Sequence, residues 1–287
     1  SVRVGTTKEG GLKGFALKEN ERLGGGGGGK NAAFEFPRIQ GADVAGSIID
    51  VGSSISEDRI GERVLVDPEV RPTGTSETQM RNRYLGNGLD GGFAEFCCIP
   101  SINAREVNTE LSLEELATFP CSSSTAELLM VKGSVSSNDV VVITGASGGV
   151  GSTAVQLAKR RGAFVVAITT EDKAEFVRKL GPDTILSRDK EELSKAARDA
   201  SPNNHIDVVV DVVGGENFSV WIECLRPGGR YLTSGAIAGP IVELDLRSLY
   251  LKDLALIGAT EVPADVFENV IRYIENNEIQ PVLSEVF

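Results

Sequence analysis

Hydrophobic and polar positions fall into two unlike patterns along this chain. Between about Phe36 and Val107 the apolar residues come in short bursts broken by glycine, proline and charge, as in FPRIQGADVAGSIIDVG, IGERVLVDP and GGFAEFCCIP. Bursts of this length between turn residues predict short β-strands. Beyond Ser137 the bursts lose their polar alternation, as in DVVVITG, AFVVAIT, DTILS and HIDVVVDVVGG, and they take turns with DKAEFVRKLG, DKEELSKAARDA and ENFSVWIECL, which read as helices. Strands without alternation are buried on both faces, so this half predicts a doubly wound parallel sheet with its ligand crevice at the carboxyl ends of the strands. GGRYLTSG and DLALIGA add strands, and PADVFENVIRYIENNE adds an amphipathic helix. Where the patterns meet, LSLEELATFPCSSSTAELLMVKG predicts two helices, the first capped by Ser112 with Glu115 three residues on.

Two stretches fit neither pattern. Residues 1–36 show no sustained period and contain six consecutive glycines, Gly24 to Gly29, which read as a linker or a loop replacement. Glu69 to Asp90 is long and charged, and reads as an excursion outside the core.

The most specific local signal is VVITGASGGVG, Val141 to Gly151, followed by STAVQLAKRRG. It reads as strand, tight turn and helix. Ala146, Gly148 and Gly151 form a variant of the dinucleotide fingerprint, in which glycine lets backbone approach a diphosphate and the helix end supplies unpaired N–H groups. The candidate phosphate-binding residues are therefore Ser147, Gly148, Gly149, Val150 and Gly151. A glycine-rich turn that binds nothing is the alternative.

Composition narrows the picture. With 41% hydrophobic and 24% charged residues over 287 positions, the chain can bury substantial cores in two domains. A net charge of −12 opposes a nucleic-acid partner, which would require clustered Lys and Arg. No apolar run approaches the roughly 20 residues that span a bilayer, so no membrane partner is expected and the cytoplasm is the default location. Cys97, Cys98, Cys121 and Cys224 form no CxxC pair and suit a reducing compartment. Cys97 and Cys98 should point to opposite faces of a strand. The single histidine, His205, reads as a solvated loop residue.

Taken in order, GADVAG, IGERV, GGFAEF, FPCSSSTAELLM, VVITGASGGVGSTAVQLAKRRGA, DVVVDVVGG, LRPGGRYLTSGAIAGP and LYLKDLALIGA resemble the medium-chain dehydrogenase/reductase superfamily, in its zinc-free, quinone oxidoreductase-like branch. The resemblance covers most of Phe36 to Phe287. It implies a GroES-like catalytic domain over 1–118, incomplete at both chain ends, and a Rossmann dinucleotide-binding domain over 119–287, with substrate between them. Zinc-dependent members carry Gly-His-Glu where this chain has Gly41, Ala42 and Asp43, so the imidazole ligand is replaced. Cys121 keeps a ligand position but lacks partners, and the cysteine-rich structural lobe is absent, which predicts no metal.

The resemblance further implies NADP(H). Thr169, Thr170 and Lys173 would face the 2′-phosphate, whereas Glu171 could reach a ribose and favour NAD(H). Thr125, Ser234, Gly235 and Ala236 would meet the nicotinamide, Gly258, Ala259 and Thr260 would line its side, and Val213 and Gly214 would pass the adenosine half. Tyr84 is the one catalytic candidate, with a loop anchor as its alternative role. The expected activity is hydride transfer to a quinone or small conjugated carbonyl. An NAD(H)-dependent alcohol dehydrogenase and a non-catalytic NADP(H)-binding sensor or structural protein are the alternatives. DLALIGA, as an edge strand, predicts a homodimer.

Overall fold

A computed structural model describes residues 1–5, 37–71 and 83–286, so the run Gly24 to Gly29 lies outside the described residues. The chain divides into two compact units, Ser1–Cys121 together with Thr260–Phe287, and Ser122–Ala259.

The first unit is built on short strands: β1 (Val2–Gly5), β2 (Ala45–Val51), β3 (Arg63–Val66), β4 (Glu69–Val70), β5 (Arg83–Tyr84), β6 (Phe96–Ile99) and β7 (Ala104–Glu106). Five of them form an antiparallel sheet in the order β6-β1-β2-β3-β7. Its core is made of Val2, Val4, Ile48, Val64, Val66, Cys97 and Ile99. The period-two rule operates visibly in β6, where Cys97 is buried and Cys98 exposed. The described parts of the stretch Glu69 to Asp90 depart from the expected place outside the core. Its ends pair as β4 and β5, with Glu69 opposite Tyr84, and both Glu69 and Leu85 are buried. A hydrogen bond helps make the buried acid tolerable, Val262 N donating to Glu69 Oε2 at 3.0 Å, and Asn103 Nδ2 satisfies the backbone carbonyls of Asp67 and Glu69 at 2.9 and 3.0 Å.

Helix α1 (Leu113–Leu116) opens on the expected capping box: Glu115 N donates to Ser112 Oγ at 3.2 Å, and Ser112 N donates to Glu115 Oε2 at 2.8 Å. Helix α2 (Pro120–Lys132) follows and carries the chain into the second unit.

That unit holds β8 (Val140–Ile143), α3 (Gly149–Arg160), β9 (Phe164–Thr169), α4 (Ala174–Arg178), β10 (Thr184–Ser187), α5 (Leu193–Asp199), β11 (Ile206–Asp211), α6 (Phe218–Cys224), β12 (Leu225–Thr233), α7 (Leu246–Leu251) and β13 (Ala255–Gly258). The strands make one parallel sheet in the order β10-β9-β8-β11-β12-β13. β8 and β11 are buried on both faces, as their unbroken valine runs require. Under the sheet, Trp221 and Phe218 of α6 pack with Tyr231, the Phe218 and Tyr231 rings meeting edge-on at 5.1 Å. Helix α5 begins later than the sequence pattern suggests, because Glu192 takes a left-handed conformation at φ 50°. The last helix, α8 (Ala264–Glu275), buries Val266, Phe267, Val270, Ile271 and Ile274 on one face and belongs to the first unit.

Candidate active site

Successive strands β8, β9 and β10 step one way from β8, and β11, β12 and β13 step the other. The winding therefore reverses between β8 and β11, and the glycine turn leaves β8 at that point. Open parallel sheets bind ligands at this place. Each glycine of the turn has its own reason. Gly145 sits at φ 57°. A Cβ at Gly151 would lie 2.2 Å from the Gly145 carbonyl oxygen, so the helix can pack on the turn only without a side chain. Gly148 is different. A Cβ there would meet only that oxygen, at an ordinary 3.4 Å, and its φ of −83° suits any residue. Nothing in the protein demands glycine at 148. An approaching diphosphate would, since a side chain there would fill the space it needs.

The start of α3 suits the same ligand. Gly148 is its N-cap and offers no side-chain acceptor, and Gly148 and Gly149 are exposed, with Ser147 and Val150 half-buried. The first N–H groups of the helix thus face outward with the positive end of the dipole behind them.

The other expected cofactor residues of this unit gather on the same carboxyl edge. Thr169 ends β9, with Thr170 and the exposed Lys173 just beyond it. The Thr169 hydroxyl is buried and has no hydrogen-bond partner. The Thr170 hydroxyl is likewise buried without a partner, next to the exposed Asp172. An unsatisfied buried hydroxyl at a strand end invites a ligand oxygen. Val213 and Gly214 follow β11, and Ser234, Gly235 and Ala236 follow β12. Gly258 ends β13, and its carbonyl accepts from Lys132 Nζ at 3.0 Å, while Ala259 N donates to Thr233 O at 2.9 Å. Thr125 lies a full turn inside α2, so it is not a helix-start hydroxyl. Thr260 and Tyr84 belong to the other unit.

One organising residue of this edge carries no motif. Asp211 is fully buried at the end of β11 and accepts from Thr144 Oγ1 and Tyr231 Oη, each at 2.6 Å, and from the N–H groups of Val213 and Gly214 at 2.8 and 3.1 Å. It locks the switch-point turns of β8 and β11 together. Burial, first, and the Asp211 carboxylate push the Tyr231 phenol well above its usual range, so it acts as a permanent donor.

In the first unit, three separated stretches meet around Tyr84. Gly41, Ala42 and Asp43 are packed against the loop after β5: a Cβ at Gly91 would lie 2.2 Å from Gly41 O, and one at Gly86 would lie 2.7 Å from Gly41 N. Asp90 ties down the same segment, accepting from Arg38 Nη1 at 3.1 Å and Ile39 N at 3.2 Å. Cys121 N then donates to Asp43 Oδ1 at 2.7 Å, and the Tyr84 hydroxyl hydrogen-bonds the Cys121 sulfur. Burial raises the pKa of all three groups. For Tyr84 the Cys121, Asp43 and Glu69 side chains add to it, and for Cys121 the Asp43 carboxylate does, against the Tyr84 bond that lowers it. Asp43 itself is exposed, and its bond from Cys121 N opposes the rise. The phenol and thiol therefore stay protonated at neutral pH.

Among the described residues no three His, Cys, Asp or Glu side chains converge. The only histidine, His205, lies at the amino end of β11, with Nε2 3.5 Å from Asp207 Oδ2.

Two family profiles match the chain: the alcohol dehydrogenase GroES-like domain over residues 17–108, and the zinc-binding dehydrogenase family over 149–276. The first begins well before Phe36, where the resemblance had been expected to start. An acryloyl-coenzyme A reductase from Metallosphaera sedula is 31% identical over 262 residues, 88% of this chain and 76% of its own. The chain belongs to the medium-chain dehydrogenase/reductase superfamily. Among solved superfamily structures, one from Sinorhizobium meliloti is 42% identical with a TM-score of 0.82, covering 87% of this chain and 69% of that one. A thermostable alcohol dehydrogenase from Pyrobaculum aerophilum is 32% identical with a TM-score of 0.76, covering 88% and 76%. The protein is an oxidoreductase of medium-chain type, and the family uses a nicotinamide cofactor. No helix among the described residues is long and apolar enough to cross a membrane.

Proposed function

We propose that this superfamily member is a zinc-free, NADPH-dependent reductase that delivers hydride to a small conjugated carbonyl or quinone. The Tyr84–Cys121 hydrogen bond beside Ala42 carries this reading: where a metal enzyme needs an imidazole and a thiolate, this chain has a methyl group and a neutral thiol engaged by a phenol. The stretch matched by the zinc-binding dehydrogenase profile holds only one cysteine, Cys224, and His205.

Bound NADPH would supply the hydride, and a proton must complete the reduction. The turn at Ser147 to Gly151 would hold the diphosphate, Thr169, Thr170 and Lys173 the 2′-phosphate, Val213 and Gly214 the adenosine half, and Thr125, Ser234 to Ala236 and Gly258 to Thr260 the nicotinamide. Tyr84, held protonated by burial, would have to turn its hydroxyl from the Cys121 sulfur to give a hydrogen bond to a developing enolate oxygen, and it is unsuited to act as a base. Among the relatives, an acryloyl-coenzyme A reductase and a Nematostella vectensis quinone oxidoreductase-like protein fit this substrate class. Exposed Glu171 and the name of a Sulfolobus acidocaldarius relative, NAD-dependent alcohol dehydrogenase, favour the second reading, an NAD(H)-dependent alcohol dehydrogenase.

Fluorescence titration with NADPH and NADH, followed by a panel of enones, quinones and alcohols with and without chelator, separates the two. Tighter NADPH binding and chelator-insensitive enone reduction support the first. Loss of activity with chelator, or NADH preference with alcohol oxidation, supports the second. Binding without turnover points to a sensor. The edge strand β13 is exposed, with Leu251 of the adjoining α7 71% and Leu256 40% exposed, which supports a homodimer through this edge. A monomer by light scattering at micromolar concentration would remove that part.

A further inference from the structure

We propose that Arg188 sets cofactor choice by gripping the adenosine 2′-phosphate together with Lys173. This rests on the NADPH reading above and adds a residue to it. β10 runs parallel to β9 with Ser187 opposite Thr169, and Arg188 N donates to Thr169 O at 2.8 Å. Arg188 therefore emerges at the carboxyl edge directly beside Thr169, while Lys173 ends the short helical turn that follows Thr170. Its guanidinium is not committed elsewhere: its ion pair with Asp189 is 3.5 Å long and exposed on both sides, a geometry worth little.

Both cations bear on one carboxylate. Asp172 is held below the usual carboxylate range, first by the Thr170 hydroxyl and then by Lys173 and Arg188. A phosphate carrying nearly two negative charges would draw Lys173 and Arg188 to itself and give the orphaned Thr169 hydroxyl an acceptor. A ribose hydroxyl would leave both cations on Asp172. Without Arg188, the phosphate would meet Asp172 and Glu171 with Lys173 as its one close counter-charge. The planar guanidinium can also hold two phosphate oxygens at once, which an ammonium cannot.

The test measures dissociation constants of the full chain for NADPH, NADH and the fragment 2′,5′-ADP by fluorescence and calorimetry, in wild type, Arg188→Ala and Arg188→Lys. The expected result is an NADPH and 2′,5′-ADP affinity about tenfold weaker in Arg188→Ala, NADH affinity within about twofold, and partial recovery in Arg188→Lys. A wild type that prefers NADPH, with a ratio unchanged by Arg188→Ala, overturns the role of Arg188 and leaves the cofactor reading standing. A wild type that prefers NADH overturns both, and is read without any variant.

Discussion

The glycine turn after β8 and the Tyr84 cluster are built on opposite requirements. In the turn, what matters is the absence of atoms: Gly151 has no room for a Cβ, and Gly148 has room that the protein itself leaves unused. In the cluster, what matters is the presence of protons, because burial keeps the Tyr84 phenol and the Cys121 thiol neutral. The turn is assembled by consecutive residues and stabilised by backbone geometry. The cluster needs the segments of Asp43, Tyr84 and Cys121 to be folded against one another first. A glycine turn can thus be written locally, whereas a buried side-chain cluster has to be delivered by tertiary structure.

The sharpest way to break this contrast is Gly151→Val. Its side chain would collide with backbone, and a loss of roughly 3 kcal/mol or more of stability is expected in thermal or denaturant unfolding. Near-normal stability would mean that the turn is not sterically fixed. Next comes Tyr84→Phe, for which kcat should fall about 100-fold with NADPH affinity unchanged; full turnover would remove the phenol from the chemistry. Gly148→Ala should separate ligand from fold: stability within about 0.5 kcal/mol of wild type, NADPH affinity about tenfold weaker. If affinity holds, the diphosphate does not pass over Gly148.

The smallest effect compares the two units through their buried thiols. Cys97 in one and Cys224 in the other are each pushed up to about 11 from 9.0, burial being the main cause. Between pH 9 and 11 the unfolded chain releases these protons while the folded chain keeps them, so stability falls as pH rises through that window. By pH 10 each should contribute a loss of about 1 kcal/mol. Replacing either by alanine should flatten the pH dependence of unfolding by its share, and an unaltered slope would show that the thiol is not shielded. A thiol reagent should label exposed Cys98 first.

The parallel sheet was legible because its valine runs, glycine turn and helical periods are local signals, and β8, α3, β9 and β11 stand where the pattern places them. Helix ends were less so: the left-handed Glu192 that delays α5 leaves no compositional mark. Burial of Glu69 was illegible for a plain reason. A glutamate in a charged stretch reads as solvated unless its partner is known, and that partner, Val262 N, lies far along the chain. Asp211 was hidden likewise, since DVVVDVVGG shows an acid at a strand end but not the Thr144 and Tyr231 hydroxyls that converge on it. Arg188 could have been found by asking which residue follows the strand paired with β9. Tyr84 stood out as a polar aromatic, but its contact with Cys121 depends on long-range folding.

The raised pKa of Cys121 has a consequence for self-preservation. Conjugated carbonyls alkylate thiolates by conjugate addition, so an enzyme handling them beside an ionised cysteine would be consumed by its own substrate. Burial and the Asp43 carboxylate keep this sulfur in its unreactive thiol form at neutral pH. The same neutrality would let the site survive the conjugated carbonyl proposed as its substrate.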